Sequence, residues 1–349
     1  MSLFKQANSK KSIWIIFFVI CLICCCFYCK HGSRDIKLVV DDSAIRYVLN
    51  DIDRAKTNKA DIYKRFRGYQ MQLNWVNYKD NTSLKSVNES NFLSDYFIKE
   101  SNSYKNDSTK IYDVLKNTND LSDLVKKYQF KISEHIHSYS TIKSGFTAKI
   151  HLVVFTPVNG TARNTDMMVR MEPNKNAAYI LNLVIHETFH LCQGINYWFY
   201  SRYYLTLNKK RRYLMKLYHD IKFEGLATWV GYKSIEFIPI TYTGQSMHDL
   251  PGYDYFSLER DSCVKKAIHQ INGLIQAVNY KSIDSLNSES WDVGVMQRAY
   301  YIAGAYMSKT IEEKYGRNHL SHFVNKNEKN FIQEYNDLVP DDYKIKFIE

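Results

Sequence analysis

Residues 183–194 read LVIHETFHLCQG, with two histidines and a glutamate inside a run that is otherwise almost wholly apolar. Imidazoles and a carboxylate are costly to bury unless something satisfies them. On a helix, Asn182, His186 and His190 fall four apart on one stripe, while Ala177, Ile180, Leu181, Val184, Ile185, Phe189 and Leu191 surround the rest. A helix apolar nearly all round is a buried helix, so its polar stripe faces an interior site. Histidines at i and i+4 project their rings side by side, the spacing that binds one Zn2+. Glu187, beside the first histidine, is placed to take a proton from a water activated by that metal. The competing reading is a pair of core histidines hydrogen-bonded to their neighbours. A third ligand at a sensible place would weigh against it.

The metzincin pattern wants a Gly three residues after the second His and a His six after it. Gln193 and Asn196 stand there, which excludes that class. The gluzincin pattern wants a Glu on a following helix, and YHDIKFEGLATWVGY supplies Glu224. Leu214, Leu217, Ile221, Glu224 and Thr228 form the seam of one helix face. A lone carboxylate on that face is expensive, and a divalent cation would satisfy it; a buried salt bridge is the alternative. Gly225 would permit close approach of another backbone. Asp220, one turn earlier, is a rival ligand that reads better as a supporting group. Cys192 follows His190 by two and points away from the metal.

At these residues the chain resembles the gluzincin class of zinc metallopeptidases. More narrowly it resembles the peptidase-MA-like group of bacterial zinc-dependent peptidases, which carry HExxH followed by EGxA. Here these are His186-Glu187-Thr188-Phe189-His190 and Glu224-Gly225-Leu226-Ala227. LVVDDSAIRYVLNDID and YYIAGAYMSKTIEEKYG look like that group's terminal patterns, so the resemblance covers most of 36–340, with only the two zinc motifs specific. It implies one Zn2+ per chain held by His186, His190 and Glu224, Glu187 as general base, and a peptide or protein substrate. It also implies an oxyanion donor from a later helix, for which Tyr301 is the candidate and Tyr300 the second. The strand 148–155 would be the edge strand along which an extended peptide pairs. One departure is Thr228, where thermolysin-like enzymes carry an Asp that orients a ligand His; a hydroxyl does this more weakly. The reading from another class is a non-catalytic envelope binding or structural protein on the same scaffold, which would have no need of Glu187.

The elements that must position these groups follow from the pattern. Residues 36–54 read as a short strand or extended piece and then a helix opening near Asp42 or Ser43. Residues 55–140 are polar with helical patches, and 78–110 reads as a long loop. AKIHLVVF is a strand, Asn159-Gly160 a turn signal, and DMMVRM a returning partner strand. Helices are expected at 176–194, about 203–235, about 260–280, 294–315 and about 318–328. The expected fold is α+β and mainly helical, a small mixed sheet with an edge strand packed on a zincin-like helical bundle. The expected division is an anchor at 1–30, a mostly helical region at 31–140 and a catalytic domain at 141–349.

Lys5, Lys10 and Lys11 precede Ile13–Cys29, a run of 17 apolar residues at the lower limit for spanning a bilayer. No A-x-A-like cleavage site follows, which favours an uncleaved membrane anchor with the bulk of the chain outside the cytoplasm. A lipoprotein acylated on Cys24, Cys25 or Cys26, or a secreted protein, is the alternative. Five of the 7 cysteines lie in this segment, so there is no disulfide framework. Cys192 and Cys263 read as two buried thiols, with a pair between them as the other option. At 45% hydrophobic and 24% charged, the 349 residues are those of an ordinary globular protein. The net charge of +11 is spread along the chain, and its one dense cluster, Lys209–Arg212, reads as the solvated start of a helix. No recognised nucleic-acid motif surrounds it.

Overall fold

The computed structural model describes residues 35–79, 91–142, 144–240 and 252–347. Strand β1 (Lys37–Asp41) is followed by the short helices α1 (Ser43–Asn50), α2 (Ile52–Thr57), α3 (Lys59–Arg65) and α4 (Arg67–Lys79). Helices α5 (Asn91–Lys105) and α6 (Ser108–Tyr139) come next, then strands β2 (Thr147–Val153), β3 (Gly160–Arg163) and β4 (Asp166–Arg170). The remainder is helical: α7 (Ala177–Thr206), α8 (Lys209–Lys233), α9 (Gly252–Leu258), α10 (Asp261–Ala277), α11 (Ile283–Trp291), a π-helical turn at Asp292–Met296, α12 (Ala299–Tyr315), α13 (Arg317–Ser321) and α14 (Glu328–Asn336). The fold is α+β and mainly helical, with one small mixed sheet. Among the described residues no helix is long and apolar enough to cross a membrane. The 13–29 run lies outside the described residues.

The sheet order is β1-β2-β4-β3. β1 and β4 both pair with β2 in parallel, and only β3 runs antiparallel, against β4. Strand β2 is therefore interior, which corrects the expectation that 148–155 is the edge strand. The reason lies far away in sequence. Parallel pairing needs a long crossover, and residues 42–146 supply it, returning β1 alongside β2. DMMVRM does partner β2, but in parallel. The tight reversal falls at Asn164–Thr165, with Asn164 in the left-handed region at φ 59°, while Asn159-Gly160 opens β3 instead. The free edge of the sheet on the side of α7 is thus β3, which packs against that helix.

Two expectations for the N-terminal half also change. Residues 91–105 and 108–139 are two helices rather than part of a loop and scattered patches. Leu121, Val125, Tyr128, Ile132 and Ile136 give α6 a continuous buried stripe. Helix 176–194 continues to Thr206, and 294–315 starts only at Ala299, after the π turn and a left-handed Arg298. Cys192 is buried and Cys263 half-buried, and both are free thiols.

Helix α6 packs along α7 and donates one bond that fixes α8. His135 is buried, and its Nε2–H donates to the Val230 carbonyl at 2.8 Å. Burial, partly offset by this bond, lowers its pKa from 6.5 to about 4. Between those values the unfolded chain takes up a proton that the folded chain refuses. This contribution is whole above pH 6.5 and is lost as pH falls toward 4, by up to about 3 kcal/mol. Urea unfolding of the parent and of His135→Gln from pH 7 to 4 should show the parent losing stability more steeply; parallel pH profiles would refute this role for His135.

Candidate metal centre

Helix α7 presents the polar stripe foreseen from the sequence, and its three members divide the labour. Asn182 is not in the site. Its Nδ2 donates to the Gly231 carbonyl at 2.6 Å and to Ser234 Oγ at 2.9 Å, and its Oδ1 accepts from the Tyr255 hydroxyl at 2.7 Å. It ties α7 to the end of α8 and to α9. One and two turns on, His186 and His190 are buried, and their Nε2 atoms lie 3.0 Å apart. Glu224 Oε2, from α8, lies 3.2 Å from the His190 Nε2 and 3.5 Å from the His186 Nε2. A tetrahedral Zn2+ with bonds of about 2.0–2.1 Å keeps its ligand atoms about 3.3 Å apart. The three donors therefore fit such an ion. Among the described residues this is the one cluster of three or more His, Cys, Asp or Glu side chains suited to a metal.

Glu224 is half-buried rather than sealed in the helix seam, so the cluster opens on one side. The next residue explains how α8 is placed. A Cβ on Gly225 would lie 2.3 Å from the backbone of Gly304, and one on Gly304 would lie 2.2 Å from the Ile221 carbonyl. Helices α8 and α12 touch backbone to backbone at this glycine pair, as Gly225 suggested. The contact sets Tyr301, one turn before Gly304, beside the cluster.

The protonation states follow from the surroundings. Burial would raise the Glu224 pKa, but the two imidazoles outweigh it and hold the carboxyl well below the usual range. Burial lowers His186, whereas for His190 the Glu224 charge overcomes burial and the shift is upward. Gln193 settles the tautomer of His190. Its Nε2 donates to the Phe223 carbonyl at 3.0 Å, leaving Oε1 to accept from His190 Nδ1–H at 2.8 Å. That bond places a proton on Nδ1, so Nε2 is the ring nitrogen that would ligate a metal at the cluster. Phe223 stacks on the same ring at 4.2 Å. In the sequence Gln193 stands out only as a departure from the metzincin pattern; its place three residues after His190, on the same helix face, is the signal for this contact. Thr228 does not take an orienting role: its hydroxyl is buried without a hydrogen-bond partner. Asp220 pairs with Lys216 and joins no ligand set.

Glu187 is buried, and desolvation raises its pKa to about 7. A Cβ on Gly160 would lie 2.6 Å from its Oε1, so the carboxyl rests against the first residue of β3. Arg170 N–H donates to the Asn159 carbonyl at 2.8 Å. The antiparallel alternation from that bond turns the N–H and C=O of Gly160 and Ala162 away from β4, along the free edge.

Of the two tyrosines, Tyr301 is at the site. Its ring is nearly parallel to that of His186, 6.3 Å away, and the charges of Glu224 and Glu187 reach its hydroxyl. Tyr300 is buried elsewhere, bonded to Ser290 and packed against Gly294. Arg298 and Asp254, which nothing in the sequence singled out, complete the surroundings. Arg298 Nε and Nη2 bond Asp254 Oδ1 and Oδ2 at 3.0 and 2.6 Å, and the guanidinium lies over the Tyr301 ring.

Residues 51–342 match the model of the family described as "Putative zinc dependent peptidase (DUF5700)". No curated protein and no solved structure matches the chain.

The Gln193 contact predicts that Gln193→Ala stays folded but binds Zn2+ roughly 10–100-fold more weakly, with Glu224→Ala weaker still. Competition with a chromophoric chelator measures both; parent-like affinity in Gln193→Ala would remove Gln193 from the site.

Proposed function

The chain belongs to the family described as "Putative zinc dependent peptidase (DUF5700)", and from that premise we propose that it is a gluzincin-type zinc metallopeptidase holding one Zn2+ on His186, His190 and Glu224. The observation that carries this reading is the convergence of those three donors at 3.0–3.5 Å beside a buried Glu187. Zinc held there supplies Lewis-acid polarisation of the scissile carbonyl and activation of water near neutral pH.

The chain's own residues do the rest. Glu187 accepts the proton of the attacking water and returns it to the leaving amine, a task suited to a carboxylate buried beside the cluster. Tyr301 donates a hydrogen bond from its hydroxyl to the developing oxyanion. An extended peptide adds to the edge of β3, pairing with the outward groups of Gly160 and Ala162. Because Gly160 lies against Glu187, that pairing brings the backbone of the substrate to the base. Retention of a buried glutamate at this place argues for catalysis over a scaffold that only binds. We further place this enzyme outside the cytoplasm, tethered by the apolar run 13–29; the lysines before that run support the orientation.

Glu187→Gln keeps size and hydrogen-bonding reach but cannot take the proton. It should lower turnover of a library peptide by about 10²–10⁴ while zinc content and melting temperature stay at parent values. Equal turnover in the fully metallated variant would remove Glu187 from the mechanism.

A further inference from the structure

Three features meet just before α12. Arg298 has φ 66°, a left-handed conformation that is unfavourable for a residue with a Cβ. Its guanidinium is held in a two-pronged bond by Asp254, whose side chain is 1% exposed. The Arg298 Cζ lies 3.1 Å from the centroid of the Tyr301 ring. A buried ion pair is a weak means of stabilisation, since a packed apolar pair would often hold two helices as well. Joining α9 to α12 therefore does not account for it. Two of the five N–H donors of the guanidinium are taken by Asp254 and one of its faces by the ring. What the pair does is set a positive charge on the face of one tyrosine.

We propose that Arg298, clamped by Asp254, is a positioning residue that fixes the Tyr301 ring beside the cluster and strengthens its hydroxyl as a donor to the oxyanion. A cation on the ring face draws electron density from the phenol oxygen and stabilises the negative charge that builds there as the O–H donates, which makes the O–H a better donor. The left-handed turn and the π turn before it bring the Arg298 side chain back over the ring that follows it by three residues. The proposal rests on the peptidase reading and on Tyr301 as its oxyanion donor.

The test is a double-mutant cycle on the full-length, zinc-loaded protein, joined to a spectroscopic readout that needs no turnover. Tyr301→Phe should lower kcat by about 10²–10³. Arg298→Lys should lower kcat roughly tenfold, with KM, zinc content and melting temperature near parent values. On the Tyr301→Phe background, Arg298→Lys should cost nothing further, because it acts through the missing hydroxyl. The same loss on both backgrounds would overturn the proposal. If Arg298→Lys does not fold, the isosteric Asp254→Asn takes its place in the cycle. For the second readout, 3-fluorotyrosine is incorporated and the resonance of residue 301 is assigned by its absence in Tyr301→Phe. That 19F signal should move or split in Asp254→Asn, although Asp254 bonds only Arg298 and not the ring; an unchanged signal would also overturn the proposal. If the zinc-loaded parent cleaves no library peptide, the peptidase reading fails, and the 19F signal still decides whether Asp254 positions the ring.

Discussion

Glu224 on α8 and two imidazoles on α7 point at one another across 3.0–3.5 Å, and the rest of the structure can be understood as what holds them there. Three lone-pair donors so close together are poorly satisfied by protons alone. Gln193 engages Nδ1 of one imidazole, which leaves its Nε2 toward the other donors, and the carboxyl stays ionised. A divalent cation resolves the arrangement. The helices that carry the donors are set by contacts outside the cluster. Asn182 binds α7 to the end of α8, His135 holds the Val230 carbonyl, and the Gly225–Gly304 pair lets α12 close on α8.

The sheet serves the same centre from the other side. Its two parallel pairings put β2 in the interior and leave β3 as the strand next to α7. A Cβ at position 160 would crowd the Glu187 carboxyl, so glycine there lets the strand lie against Glu187 and puts that carboxyl beside the free edge. The N-terminal strand β1 fills the far side of β2. The length of chain between the two is the crossover that parallel pairing demands.

Local spacing made much of this legible. Histidines four apart in an apolar helix define a site by geometry alone, and a carboxylate on a Leu/Ile seam asks for a partner. The glycine beside it foretold the backbone contact. What escaped was the long-range structure. No periodicity in 36–41 says which strand it will join, so nothing in the sequence places β2 in the interior of the sheet. The Arg298–Asp254 pair spans 44 positions, and neither residue carries a local signal. Residues 91–105 hid their helix because Asn, Ser and Lys dominate it and only Leu93, Phe97, Ser101 and Tyr104 turn inward. Thr228 marks a limit of analogy: it stands where an orienting group was looked for, yet its hydroxyl binds nothing, and Gln193 on the other helix does that work.

The central claim is the location of the metal. Crystals of the zinc-loaded protein, measured on both sides of the zinc absorption edge, test it most directly. The account predicts one anomalous peak per chain, about 2.0–2.2 Å from Nε2 of His186, Nε2 of His190 and a carboxylate oxygen of Glu224. No peak there, or a peak on other side chains with these three still bonded to one another, would contradict it.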